Sequence, residues 1–250
     1  VSIVTPLSLN ERLSEKLNSR IFFKREDLQK VRSFKIRGAF NKIKSLNLEN
    51  SQDEKRIICA SAGNHAQGVA FSCNKLKIFG TIYMPETTPK QKVERVKMFG
   101  GDFIKIVLVG DTFDDAQKEA QKQLSVDSIF IHPFDDKEVI EGQGTVALEI
   151  LDQIDKHFDY LVIPIGGGGL IAGVISVFKE LSPKTKIIGV EAEGAPAMFD
   201  SIKQNKIIEL KKIDNFVDGV SIKKIGKIPF QICKEHLDDL IIVPELSLIH

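Results

Sequence analysis

An α/β fold is predicted from three features of this 250-residue chain. Short β-rich runs alternate with longer helical patterns, the order that builds parallel sheet with helical crossovers. Several of the β-rich runs are apolar almost without interruption, as strands covered on both faces are. A content of 42% hydrophobic and 28% charged residues describes a globular chain, long enough for one large domain or two modest ones.

The expected strands are Ile21 to Phe23, Arg56 to Ala60, Gly80 to Met84, Phe103 to Val107, Tyr160 to Pro164, Lys186 to Glu191 and Leu240 to Val243. Helical spacing is read at Phe34 to Leu46, Asn64 to Lys75, Pro89 to Phe99, Thr112 to Leu124, Gly144 to Ile154, Leu170 to Leu181 and Pro196 to Gln204. Start signals accompany three of them: Asn64 as a cap, Thr88 before Pro89, and Asp111 before Thr112. Residues 53–137 hold three strand–helix units in a row, so a small lobe is expected there, interleaved with a large lobe made of 1–52 and 138–250. The cleft between two such lobes is the expected ligand site.

Lys plus Arg at 35 against Asp plus Glu at 34 leave no global field to draw the chain onto nucleic acid or anionic lipid. No apolar run reaches bilayer length, and the opening VSIVTPLSLNERL does not read as a secretory signal. A small-molecule partner, with neither nucleic acid nor membrane, is therefore expected. Cys59, Cys73 and Cys233 are odd in number and widely spaced, which suits buried small side chains in a reducing cytoplasm.

Three segments could carry chemistry. Gly166, Gly167, Gly168 and Gly169 follow a strand and open a helix, so several N–H groups and the positive helix end can converge on one phosphate. Gly167, Gly169 and Ala172 also satisfy a dinucleotide fingerprint, with Glu191 ending the next strand. Lys35, between Phe34 and Ile36 at a helix start, is expected to meet desolvation and the helix dipole, both of which favour its neutral, nucleophilic amine. Read alone, a solvated helix lysine is the stronger reading in a chain that is 28% charged. Ser61, Ala62, Gly63, Asn64 and His65 form a small-residue loop before a helix, where N–H groups suit a carboxylate and Asn64 adds a donor. With no second His or Cys at ligand spacing, no metal is expected at His65.

Taken together, these segments resemble the pyridoxal-phosphate enzymes of the tryptophan-synthase β-type fold, and most closely their serine/threonine dehydratase group on its biosynthetic, threonine-deaminating side. The likeness runs nearly end to end. It rests on KREDLQKVRSFKIRGA at 24–39, SAGNHAQG at 61–68, MPETTPKQKVERVKMFG at 84–100, HPFDDKEVIEGQGT at 132–145, PIGGGGLIAG at 164–173, GVEAEGAPAM at 189–198 and FVDGVSIKKIG at 216–226. The resemblance implies a fold of two lobes with pyridoxal 5'-phosphate held in the large one. It implies deamination of L-threonine, and of L-serine, to the 2-oxo acid and ammonia, the first step of isoleucine biosynthesis.

By the same resemblance, Lys35 is the Schiff-base lysine and general base, with Phe34 packing near the cofactor ring. Gly166 to Leu170 cradle the phosphate, Asn64 meets the ring hydroxyl, Gly219 belongs to the backbone near the cofactor, and Ser61 to His65 grip the substrate carboxylate. Ala62 stands where racemases of this fold carry a second Ser, which favours elimination. Their cation site maps to Glu193, Ala197 and Phe199, and Phe199 cannot ligate a metal. A further strand and a Ser-Gly-Gly-Asn type loop that contacts the pyridine nitrogen in the group have no counterpart in these 250 residues. A homodimer or homotetramer is the group's habit. Two alternatives stay open: a chain of the same fold with impaired catalysis, and a nicotinamide-dependent oxidoreductase built on Gly167, Gly169, Ala172 and Glu191.

Overall fold

A computed structural model describes residues 1–48, 55–154, 157–214 and 216–244. The chain forms two interleaved lobes, each built on its own parallel sheet. The first sheet comprises β3 (Arg56–Ala60), β4 (Gly80–Met84), β5 (Ile104–Leu108) and β6 (Ser128–Phe130), ordered β5-β4-β3-β6 and all parallel. Alternation along β3 sends Ile57 and Cys59 to one face, where α3 (Asn64–Leu76) and α4 (Lys90–Gly100) bury Val69, Cys73 and Val96 against them. Ile58 and Ala60 face the other way, onto Ala116 and Ala120 of α5 (Phe113–Lys122).

The second sheet is β7 (Tyr160–Pro164), β8 (Lys186–Ala192) and β9 (Asp239–Val243), in that order and parallel. One face packs on α7 (Gly169–Leu181), which lies against α6 (Lys137–Asp152), which in turn lies against α2 (Lys35–Ser45). Glycines set these spacings. A Cβ on Gly142 would stand 2.6 Å from the Arg37 carbonyl oxygen and 2.6 Å from the Gly38 Cα, and one on Gly173 would stand 2.4 Å from the Ile140 carbonyl oxygen. The helix backbones therefore touch. Two further helices, α8 (Ala197–Lys203) and α9 (Lys227–His236), and a ribbon of β1 (Leu7–Leu9) with β2 (Phe22–Lys24) complete this lobe, with α1 (Glu11–Leu17) between the ribbon strands.

Several expectations are corrected. The β7-β8-β9 sheet is not covered on both faces among the described residues: Tyr160, Val162 and Ile241, all on the same side, are exposed. Helix α6 begins at Lys137 rather than at Gly144, because Asp136 caps it by accepting the Val139 N–H. Gly142 and Gly144 are positions of close approach, not a helix start. Asn64 is the first helical residue of α3 and caps nothing; Gly63 precedes it and has no side chain to do so. Thr112, not Asp111, caps α5, in a reciprocal box with Asp115. The short strands β1 and β6 and helices α1 and α9 were not expected. The three cysteines are free and buried, as expected. Among the described residues no helix is long and apolar enough to cross a membrane.

Candidate active site

Lys35 opens α2 at the seam between the lobes. Its Nζ donates to the Pro133 carbonyl oxygen at 2.9 Å and stands 5.4 Å from the centre of the Phe34 ring. The backbone of Lys35 meets α3, since a Cβ on Gly68 would lie 3.0 Å from the Lys35 carbonyl group. Burial pushes the ammonium down to about 8, opposed weakly by Cys59. A solvated helix lysine is thus excluded, and a large share of this amine is neutral near pH 8.

The helix that carries Lys35 is anchored two residues on. The buried Arg37 guanidinium donates to both oxygens of Glu26 at 2.8 Å, to Glu149 at 2.6 and 2.8 Å, and to Thr145 Oγ1 at 3.1 Å. Glu149 also takes Lys24 Nζ at 2.6 Å. Burial works against the Arg37 charge, but the two carboxylates outweigh it and raise its pKa. The KRED and FKIRG segments thus meet in one closed network, a role that sequence spacing alone did not reveal.

The glycine loop lies one residue away from the lysine's partner. Pro133 accepts from Lys35, and the neighbouring Phe134 ring packs so closely on the loop that a Cβ on Gly167 would stand 2.2 Å from it. A Cβ on Gly169 would meet the Phe134 backbone at 2.9 Å, and Gly168 adopts φ +90° as the residue before α7. Part of the glycine requirement is therefore packing. No protein acceptor among the described residues takes the N–H groups of Gly167, Gly168, Gly169 or Leu170. These donors sit at the positive end of a 13-residue helix.

The Ser61 to His65 segment joins β3 to α3. Ser61 Oγ accepts the Gly63 N–H at 3.2 Å, and Ala62 and Gly63 are half-buried while Asn64 is exposed. A Cβ on Gly63 would meet nothing within 4 Å, so the loop fronts open space. His65 turns inward. Its Nε2 lies 2.9 Å from the Ile131 carbonyl oxygen, which can only accept, so Nε2 carries the hydrogen and Nδ1 is a bare, buried acceptor without a partner. Burial, then the Lys35 charge, push its pKa down to about 3, so the ring is neutral. Its imidazole is structural and does not line the carboxylate side of the loop.

Gly219 is exposed, with nothing within 4 Å of a Cβ there; its neighbour Val220 is what touches the cradle, 3.0 Å from a Cβ on Gly166. The segment bearing both is tied to the other lobe by Lys92–Asp218 at 2.6 Å and Lys223–Asp114 at 2.7 Å. Glu191 does not face the glycine loop as a ribose ligand would. It is 1% exposed, and both its oxygens accept backbone N–H groups of α8. With its acidic partner spent on a helix end, the dinucleotide reading fails.

A family model for pyridoxal-phosphate dependent enzymes matches residues 2–249, and the chain belongs to that family. It is 54% identical over 246 residues to a biosynthetic L-threonine dehydratase of Halalkalibacterium halodurans, covering 98% of this chain and 59% of the relative. Its identity to the Bacillus subtilis protein of the same name is 53%, covering 98% and 58%. The chain thus spans somewhat under two thirds of these relatives' length. Among solved structures, the processed threonine deaminase isoform 2 of Solanum lycopersicum superposes with a TM-score of 0.91 at 45% identity, covering 98% of this chain and 66% of that one. Maize serine racemase superposes with a TM-score of 0.89 at 32% identity, covering 99% and 74%.

The residues present fit pyridoxal phosphate. Unclaimed N–H groups at the α7 terminus suit its phosphate, a half-neutral lysine suits its aldehyde, and the Phe34 ring offers an apolar surface beside that lysine.

Proposed function

We propose that this chain carries the catalytic core of a threonine ammonia-lyase, deaminating L-threonine and L-serine to the 2-oxo acid and ammonia. The observation that carries the reading is the 132–134 turn, of which Pro133 touches the Lys35 amine and Phe134 touches Gly167 and Gly169. This short bend spaces the amine from the phosphate donors. Bound there, pyridoxal phosphate supplies an aldehyde for amines and a ring that accepts the electron pair left at the substrate Cα.

The chain's own residues do the rest. N–H groups of Asn64 and His65, at the start of α3, hold the substrate carboxylate and so orient the Cα–H bond. The Asn64 side chain serves the cofactor's ring hydroxyl, and Gly166 to Leu170 fix its phosphate. Lys35 then removes the Cα proton; with its pKa lowered to about 8 by burial, far more of the amine is neutral near pH 7 than for an ordinary lysine. The Cα proton and the β-hydroxyl leave, in net, as one water; the enamine that remains gains a proton at Cβ to become an imine, and water then replaces its nitrogen to give 2-oxobutanoate and ammonia. Ala62 offers no hydroxyl to return a proton to Cα, which supports elimination over racemisation. The lobe boundaries fall at 52/53 and 137/138, the first of which lies outside the described residues. A homodimer or homotetramer completes the proposal, and three unpaired, buried cysteines suit a reducing cytoplasm.

The test is a visible spectrum of the purified chain before and after borohydride, followed by L-threonine and an assay for 2-oxobutanoate. A yellow, reducible chromophore that Lys35→Ala abolishes is expected, with turnover falling at least about a hundredfold. Normal turnover in Lys35→Ala overturns the mechanism.

A further inference from the structure

Helix α8 does not cap its own start. Where Asn10, Thr112 and Asp136 cap their own helices with side-chain oxygens, α8 is preceded by Pro196, which has none. Its first-turn N–H groups are satisfied instead from β8. Glu191 Oε1 accepts the Met198 N–H and Oε2 accepts the Phe199 N–H, each at 2.8 Å. A carboxylate this deeply buried is costly unless hydrogen-bonded, and here both oxygens are. The consequence reaches the site through Met198, which is fully buried: its Cε lies 3.0 Å from where a Cβ on Gly168 would stand, and Pro229 closes the same side at 2.6 Å.

We propose that Glu191 is a positioning residue of the glycine cradle: by capping α8 it holds Met198 against Gly168 and so fixes the N–H groups that receive a phosphate. This rests on the reading of Gly166 to Leu170 as a phosphate site. It gives a role to the GVEAEGAPAM segment, which the catalytic reading leaves without one.

The test separates the phosphate from the rest of the ligand. Cofactor-stripped chain is titrated with pyridoxal 5'-phosphate and with pyridoxal, and the ratio of the two dissociation constants measures what the cradle contributes. Glu191→Gln keeps the shape but turns one acceptor into a donor facing an N–H. It is expected to lower the preference for the phosphorylated ligand roughly tenfold, with pyridoxal binding little changed. Met198→Ala leaves the cap intact and is expected to lower the same ratio; it decides the matter if Glu191→Gln does not fold. An unchanged ratio, or an equal loss for both ligands, means that Glu191 merely supports the fold and overturns the proposal. If the unmodified chain itself shows no preference for the phosphate, the cradle reading falls, and this inference falls with it.

Discussion

The proton on Lys35 links burial to reactivity. Its ammonium is depressed from 10.5 to about 8, so the neutral amine grows in as pH rises through about 8. The rate at which the cofactor-stripped chain captures pyridoxal phosphate is therefore expected to climb through that range and level off above it; a rate that climbs only near the ordinary lysine value would contradict the burial argument. Stability has the same sign. Because burial disfavours the Lys35 ammonium, the folded state loses stability as pH falls from 10.5 to about 8, and the loss levels off below that. Glu191 behaves oppositely. Burial, partly offset by two N–H groups, raises it from 4.5 to about 7, so the stability tied to its protonated form is lost as pH rises from 4.5 through about 7. Denaturation midpoints of Glu191→Gln are expected to depend less steeply on pH across that window. Local sequence exposed the lysine's apolar neighbours but not the carboxylate's task, because Glu191 works on N–H groups seven and eight residues away that only the β8-to-α8 turn brings back to it.

The helices pack by touching backbones where others interpose side chains. At Gly142 the obstacle to a methyl group is the Arg37 carbonyl and the Gly38 Cα, neither of which can rotate away. Gly142→Ala is expected to destabilise by about 1–3 kcal/mol, read as a lower denaturant midpoint, with part of the loss appearing as weaker cofactor binding because α2 carries Lys35. A midpoint equal to that of the parent chain would show that α2 and α6 separate freely. The same glycines misled the sequence reading, which took Gly144 for a helix start. Apolar runs such as RIICA and LVIPI were legible as strands from their β-branched, apolar composition, although Val162 shows that such a run need not be buried along its whole length. The three-residue strands β1 and β6 were not, because a run so short carries little periodicity of its own. Asn64 looked like a cap because cap preference is statistical, whereas α3 in fact starts on it.

Across the whole molecule, the α/β class was legible in the alternation of strand and helix patterns, while the network that anchors α2 came from partners distant in sequence. Arg37 meets carboxylates 11 and 112 residues away. The segment around 216–224 is the most distributed of these devices: Lys92–Asp218 and Lys223–Asp114 bind it to the opposite lobe, while Val220 rests on Gly166. All four charged groups are exposed enough for salt to screen them. Cofactor release on dialysis is expected to quicken with ionic strength, and Lys92→Asp combined with Asp218→Lys is expected to hold the cofactor better than either change alone. Release rates indifferent to salt would rule the pairs out as a restraint. One strap therefore serves two masters. The ties that join it to the other lobe and the contact that braces the glycine loop lie on the same few residues, so what loosens the first also loosens the second.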